Sequence, residues 1–502
     1  MIEGIPIWLF YLGATFMVAS WAGLALLGSG GGATRPYYTF DILSIPLLNR
    51  ALHSRVFRFA AQAFVSFLFV LVIIAGLFGS QQAGSNIATI LTWTYWWTLL
   101  VVFVMVFGKA WCFVCPWDAI SGWLERLSFW GVKDGLSAKL RWPSAFRNLY
   151  PATALFLILT WLELGYGVTT RPELTALMGI LMFFLTFVPL LIFERQSFCR
   201  YGCLIGRISG LYALFSALEI RARDRQLCQT DCQTRDCFHG NDQGYACPTF
   251  QYLGAMEKNT YCIYCGECIK ACPHDNVAIN LRPFGQDMVK SAHVRFDEAA
   301  MVIVMLAMTT FHGLTMTPVW GTIVVALQRT LSLPYLAAFT VGMFGFLGVV
   351  AASYHVFASW SHRIAPIPGV TRRQLWIRYA YAFLPIALFY HFAHNSMHFF
   401  IEGGAIVPAI SDPFGWGWNL MGTAGIQPGP MLGPVAVWSI TLTFIFMGQI
   451  WSLLAARRIS LQICGSNRTA FRSRAPIVAA MIGYSILSLW IVAQPMVMRS
   501  GL

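Results

Sequence analysis

The sequence predicts an all-α integral membrane protein of about ten transmembrane helices, with a cytoplasmic cysteine-rich loop inserted between two helical halves. Three observations lead there. Of 502 residues, 57% are hydrophobic and only 11% charged, with a mean hydropathy of +0.62, which is far too apolar for a soluble domain of this length. Basic residues cluster in alternate loops rather than spreading over the chain. Twelve of the thirteen cysteines lie between Cys112 and Cys272.

Apolar runs close to the roughly 20 residues that cross a bilayer fall at 6–28, 56–78, 88–107, 149–168, 174–193, 299–326, 334–357, 377–400, 432–455 and 475–496. The first has no basic residue ahead of it and exceeds a signal-peptide core, so it is expected to be a retained helix. A net charge of +13 would suit nucleic acid, but the placement of the charge argues for a membrane. The loops 29–58, 108–148, 194–298, 359–378 and 456–474 hold 31 of the 34 Lys and Arg residues, leaving Arg171, Arg329 and Arg499 on the other side. The positive-inside rule then puts all five basic loops in the cytoplasm and both termini outside an inner (cytoplasmic) membrane.

On the cytoplasmic side thiols stay reduced, so disulfides are not expected. The stretch "YCIYCGECIKACPHD" holds Cys262, Cys265, Cys268 and Cys272-Pro273 in the C-x2-C-x2-C-x3-C-P spacing with which bacterial ferredoxins bind a [4Fe-4S] cluster, the fourth cysteine serving a second cluster. A partner set lies upstream at Cys228, Cys232, Cys237 and Cys247-Pro248. Crossing the fourth ligands gives one cluster on Cys262, Cys265, Cys268 and Cys247, and another on Cys228, Cys232, Cys237 and Cys272. A structural zinc is the alternative for either set.

Two further pairs, Cys112/Cys115 in "GKAWCFVCPWDAISGWLER" and Cys199/Cys203 in "ERQSFCRYGCLIGRISGLY", each follow a predicted span and emerge on the same side. They can converge on a third cluster or another thiophilic metal such as copper(I) or zinc, cycle as redox-active dithiols, or pack as small hydrophobes.

A Gly-Lys-x-x-Cys...Cys-Pro segment after one helix, a second cysteine pair after another and a double-cluster loop together resemble the membrane polyferredoxin family, to which the NapH, NosR and CcoG proteins belong. The likeness covers roughly residues 55–290. The first membrane pair is one residue shorter than the family's usual C-x3-C-P, and the second has Leu204 in place of proline. The resemblance implies quinol-linked electron transfer, or metal reduction during assembly of a respiratory enzyme.

The remaining spans have no counterpart in that family, and their histidines stand out. At about 1.5 Å per residue, His312 falls roughly 20 Å into its span and His391 and His394 roughly 21 to 26 Å into theirs. His391, His394 and His398 also share one helix face. Ionisable groups within spans are costly and usually functional. The set suits a haem b, a copper site or a quinol pocket, with hydrogen-bonded core histidines as the alternative. His355, near the cytoplasmic end, reads as an interfacial residue. Glu163, near the outer end of its span, is a candidate for proton exchange or a snorkelling carboxylate, and the Trp-rich outer loop with Glu402 and Asp412 reads as interface packing, with a lid over the histidines as the alternative. Cys464 stands alone.

The expected organisation is thus 1–220, a five-helix region with paired cysteines; 221–298, a ferredoxin-like domain with two [4Fe-4S] clusters; and 299–502, a five-helix histidine-bearing region. The expected function is electron transfer in a respiratory chain between a quinone/quinol pool or outer-face partner and the cytoplasmic side, alongside other redox subunits. A quinol dehydrogenase-type subunit is the enzyme class in view. A copper reductase or assembly factor is the second reading and a redox-sensing transporter the third. No glycine-rich nucleotide motif occurs.

Overall fold

Each of the ten expected apolar runs is mostly helical over its described residues in the computed structural model, which describes residues 4–26, 37–129, 135–289 and 294–498. Among these residues seven helical stretches are long and apolar enough to cross a membrane: Arg55–Phe78, Ile87–Arg126, Pro172–Ile192, Phe296–Thr315, Tyr335–Ile364, Pro434–Ile463 and Asn467–Val492. Three more expected runs form helices that are shorter or more polar, Ile7–Leu26, Tyr150–Gly165 and Leu384–Glu402. Arg499 lies outside the described residues.

The helices that carry the argument are α1 (Ile7–Leu26), α2 (Arg55–Phe78), α3 (Trp97–Phe107), α4 (Pro116–Arg126), α5 (Tyr150–Gly165), α6 (Pro172–Ile192), α7 (Leu204–Tyr212), α8 (Phe296–Thr315), α9 (Pro318–Leu331), α10 (Tyr335–Ile364), α11 (Leu384–Glu402), α12 (Pro434–Ile463) and α13 (Asn467–Val492). The single span expected over 299–326 is two helices. It breaks at Met316 and Thr317 because Pro318 cannot continue a helix but suits the first turn of the next one. Residues 90–96, just before α3, wind as a wide π-helical turn, a rare form that tends to occur at functional positions.

Helix α11 occupies the centre. It packs against α12, α8 and α3, so the histidine-bearing half is built into the N-terminal half rather than beside it. Most of α8 and α11 is buried, including residues such as Asp297, Glu298, His398 and Glu402 that water would otherwise hold.

The cysteine loop is framed by a small antiparallel sheet. Strand β2 (Leu218–Ala222) pairs with β3 (Val277–Leu281) in the register Leu218–Leu281, Ile220–Ile279 and Ala222–Val277, and β1 (Phe40–Asp41) adds to the far edge of β3. The inward-facing Leu218, Ile220, Val277 and Ile279 pack with Leu43, Leu253, Met256 and Ile269 around Cys228 and Cys237. The sheet therefore closes the 223–276 segment at its base, bringing both ends of the cysteine run together. A buried ion cluster locks this base: Arg282 meets Glu219 at 2.7 Å and Asp287 at 2.6 Å, and Arg221 meets Asp287 at 2.9 Å.

Candidate functional site

Within the loop, Tyr264 (φ 56°) and Gly266 (φ 75°) adopt left-handed backbone, which curls the chain between Cys262 and Cys268 tightly enough to turn three thiols inward. Cys262, Cys265 and Cys268 then line one small pocket together with Cys247, along with Ile220, Leu253 and Met256. The other four cysteines form a second group. Asn276 donates from its side-chain nitrogen to Cys228 Sγ (3.2 Å) and from its backbone N–H to Cys272 Sγ (3.3 Å). Cys237 stands within electrostatic reach of Cys228, Cys272 and Cys232. The structure thus brings together the two crossed sets of four predicted from spacing.

Burial pushes the Cys262 thiol up to about 12, so a metal bound through this sulfur would displace its proton. Glu267, in the short helix Glu267–Ala271, behaves oppositely. Burial would raise its carboxyl, but Arg58 at 2.8 Å and Lys270 at 3.1 Å hold it below the usual range.

The membrane-edge cysteines also converge. The chain leaves α3 through Gly108 (φ 61°), where a Cβ would sit 2.9 Å from the Tyr264 hydroxyl of the loop, so only glycine allows this approach. Cys112, Cys115, Cys199 and Cys203 lie within electrostatic reach of one another, and the Cys199 thiol points at Asp118 Oδ1, 4.0 Å away. Cys203 caps α7, its sulfur accepting from Gly206 N–H at 3.3 Å. Lys109 and Arg207 stand beside this group, both 0% exposed. Neither the Lys109 ammonium nor any guanidinium nitrogen of Arg207 finds a hydrogen-bond partner among the described residues, although Arg207 rests 4.8 Å over the Tyr261 ring. Two buried, unpartnered cations are costly unless an anion sits with them. An iron-sulfur cluster on four thiolates is such an anion, and the donor set fits it.

Among the described residues no three His, Cys, Asp or Glu side chains stand close enough to share a single metal ion. A cluster of several iron and sulfide atoms holds its thiolates wider apart than one ion does.

A cavity of about 440 Å³ begins next to the edge group. Its wall includes Trp111, Val114, Pro116, Leu204 and Ile205, which are sequence neighbours of the four cysteines. Trp93, Trp96 and Trp97 from the π-helical turn and the start of α3 also line it, as does Trp117, making it strongly aromatic. The indole nitrogens of Trp96 and Trp111, whose rings lie 5.6 Å apart, have no hydrogen-bond partner among the described residues. Glu163 and His312 also lie on the wall, together with Thr92, Thr160 and Thr175.

Of the sequence-predicted histidines, His312 lines this cavity. His312 Nε2 is 3.5 Å from Glu163 Oε1, and its Nδ1 is 3.2 Å from the Met308 carbonyl. The His312 and His394 rings are 5.8 Å apart, the His394 and His398 rings 5.2 Å, and His398 Nδ1 is 2.9 Å from Glu402 Oε2. His391 turns toward Tyr212, with Nδ1 3.4 Å from its hydroxyl, and toward the Trp97 ring. Both nitrogens of His312 thus have a neighbour within hydrogen-bonding range. His355 is exposed and stands apart from the cluster.

Comparison with family models, curated proteins and solved structures finds no match.

Sequence reasoning passed over Lys109, Arg207 and Tyr212. Lys109 carried a signal, since it sits inside the Gly-Lys-x-x-Cys segment. Arg207 and Tyr212 carried none, because only folding brings α7 against the edge cysteines and α11.

Proposed function

We propose that this chain is a membrane polyferredoxin that carries electrons between a lipophilic quinol/quinone carrier and redox partners on the cytoplasmic side. In this reading ten helices cross the membrane, with the ferredoxin loop in the cytoplasm and both termini outside. Two [4Fe-4S] clusters belong to the loop and a third to Cys112, Cys115, Cys199 and Cys203. When bound, each cluster accepts and passes on an electron.

The observation that carries the reading is continuity. Cys268 lies within electrostatic reach of Cys237, joining the two loop tetrads. Lys109 acts on Cys112 and Cys203 and also on Cys262, and Arg58 faces both Cys265 and Asp118, joining the loop to the membrane edge. The edge tetrad in turn borders the aromatic cavity through Trp111 and Leu204. The protein's own residues supply the rest of the chemistry. Trp96 and Trp111 contribute ring surface to the aromatic wall, which excludes water. Glu163 and His312 exchange the carrier's protons, so the histidines handle protons in this reading rather than bind a metal. Lys109 and Arg207 offset the negative charge of the metal-bound thiolates at the edge tetrad.

The reading predicts about 12 iron and 12 acid-labile sulfide per chain in anaerobically purified protein, that is, three four-iron clusters. Cys265→Ala should remove one cluster from the spectrum. Stoichiometric zinc or copper without labile sulfide would reject the reading.

A further inference from the structure

We propose that Glu163, His312, His394, His398 and Glu402 form a proton path from the aromatic cavity to the face opposite the cysteine loop. The path rests on the reading of the cavity as a carrier site, but four of its five residues, His312, His394, His398 and Glu402, lie beyond the part of the chain that the resemblance covers.

Three helices contribute: α5 gives Glu163, α8 gives His312, and α11 gives His394, His398 and Glu402. Glu163 is 8% exposed, His398 1% and Glu402 4%, so bulk water does not serve them. A carboxylate or imidazolium this deep is stable only with a partner that shares its charge, and each end of the path provides one. At the cavity, the Nδ1–H of His312 donates to the Met308 carbonyl, which leaves Nε2 facing Glu163 Oε1 across 3.5 Å. A hydrogen bond across that gap needs a proton between the two groups, and either group can carry it. At the other end, His398 and Glu402 form the same carboxylate–imidazole pair at 2.9 Å.

His394 stands between the pairs, its ring centroid 5.8 Å from His312 and 5.2 Å from His398, gaps that one bridging water or a ring rotation closes. Successive residues of α11 rise by about 1.5 Å, so His394, His398 and Glu402 climb away from the cysteine loop in steps of one turn. Glu402 ends the helix, next to the 403–433 segment.

The balance is as follows. On oxidation of a hydroquinone carrier its two O–H bonds break. Two electrons leave toward the cysteine-held acceptors, and two protons pass one after the other to the Glu163–His312 pair and out past Glu402. Reduction of the quinone draws two protons inward along the same residues. Electrons and protons therefore part at the cavity toward opposite faces.

The test uses the full chain reconstituted anaerobically in liposomes, with a pH-indicating dye inside or outside. A short-tailed hydroquinone is the reductant, and bleaching of the cluster absorbance is followed alongside. The expected result is one proton per electron released on the face opposite the loop. In Glu163→Gln and His394→Ala, hydroquinone-driven bleaching should slow at least tenfold while dithionite bleaching keeps its full amplitude, which shows that the clusters are intact. Added imidazole should restore part of the His394→Ala rate. Protons released on the loop face, or variants with wild-type rate and sidedness, would overturn the path while leaving the carrier reading standing. Wild-type protein that bleaches with dithionite but not with hydroquinone would overturn the carrier reading and the path with it.

Discussion

Lys109 and Arg207 are large cations with no exposed surface, held against a group of four thiols. In the proposed site they offset the negative charge that the cluster gains on reduction, and net charge is one of the levers that set a cluster's potential. Arg207→Met should lower the potential of the edge cluster by on the order of 60 mV, a tenfold change in a one-electron equilibrium, and leave the loop clusters unshifted in a redox titration. An unchanged edge potential would show that the guanidinium compensates some other charge. Asn276 offers a parallel case. Its amide reaches Cys228 and its backbone N–H reaches Cys272, so Asn276→Ala removes the side-chain hydrogen bond to Cys228 and keeps the backbone one to Cys272. The cluster on Cys228, Cys232, Cys237 and Cys272 should shift to lower potential while the Cys247, Cys262, Cys265 and Cys268 cluster stays in place, as electron paramagnetic resonance at graded potentials would read.

At the scale of elements, the turn through Gly108 joins the membrane region to the loop. A Cβ there meets the Tyr264 hydroxyl at 2.9 Å and Ser216 Oγ at 3.2 Å on a left-handed backbone. Gly108→Ala should therefore cost about 1–3 kcal/mol, seen as a lower midpoint in thermal unfolding, with Gly84→Ala, which meets nothing within 4 Å, as the neutral control. An unaltered midpoint would mean that the loop does not press on this turn. The helices were the legible elements, because each apolar run is long enough to dominate its own conformation. The break at Met316 was legible in principle, since Pro318 interrupts the run, but hydropathy alone does not see it. Strand β1 was not, because two residues carry no pattern and Phe40 and Asp41 pair only once β3 is present. The crossed cysteine sets followed from spacing alone, since the ferredoxin pattern encodes its own geometry. The meeting of His312 with His394 followed from counting residues along two helices. Burial of Arg207 and the cavity did not follow, as both depend on which helix faces come together.

Across the whole molecule, three groups of cysteines, an aromatic cavity and a line of carboxylates and imidazoles succeed one another from the sheet-framed loop to the far end of α11. In the proposed function the carrier's electrons pass from the cavity to the loop through the edge group. The most direct test is hydroquinone-driven reduction of the loop clusters in protein carrying Cys199→Ser, set beside wild type in the same membrane preparation. The account predicts that dithionite reduces the loop clusters fully in both, whereas hydroquinone reduces them in wild type and fails to in Cys199→Ser. Reduction by hydroquinone at the wild-type rate in Cys199→Ser would contradict it.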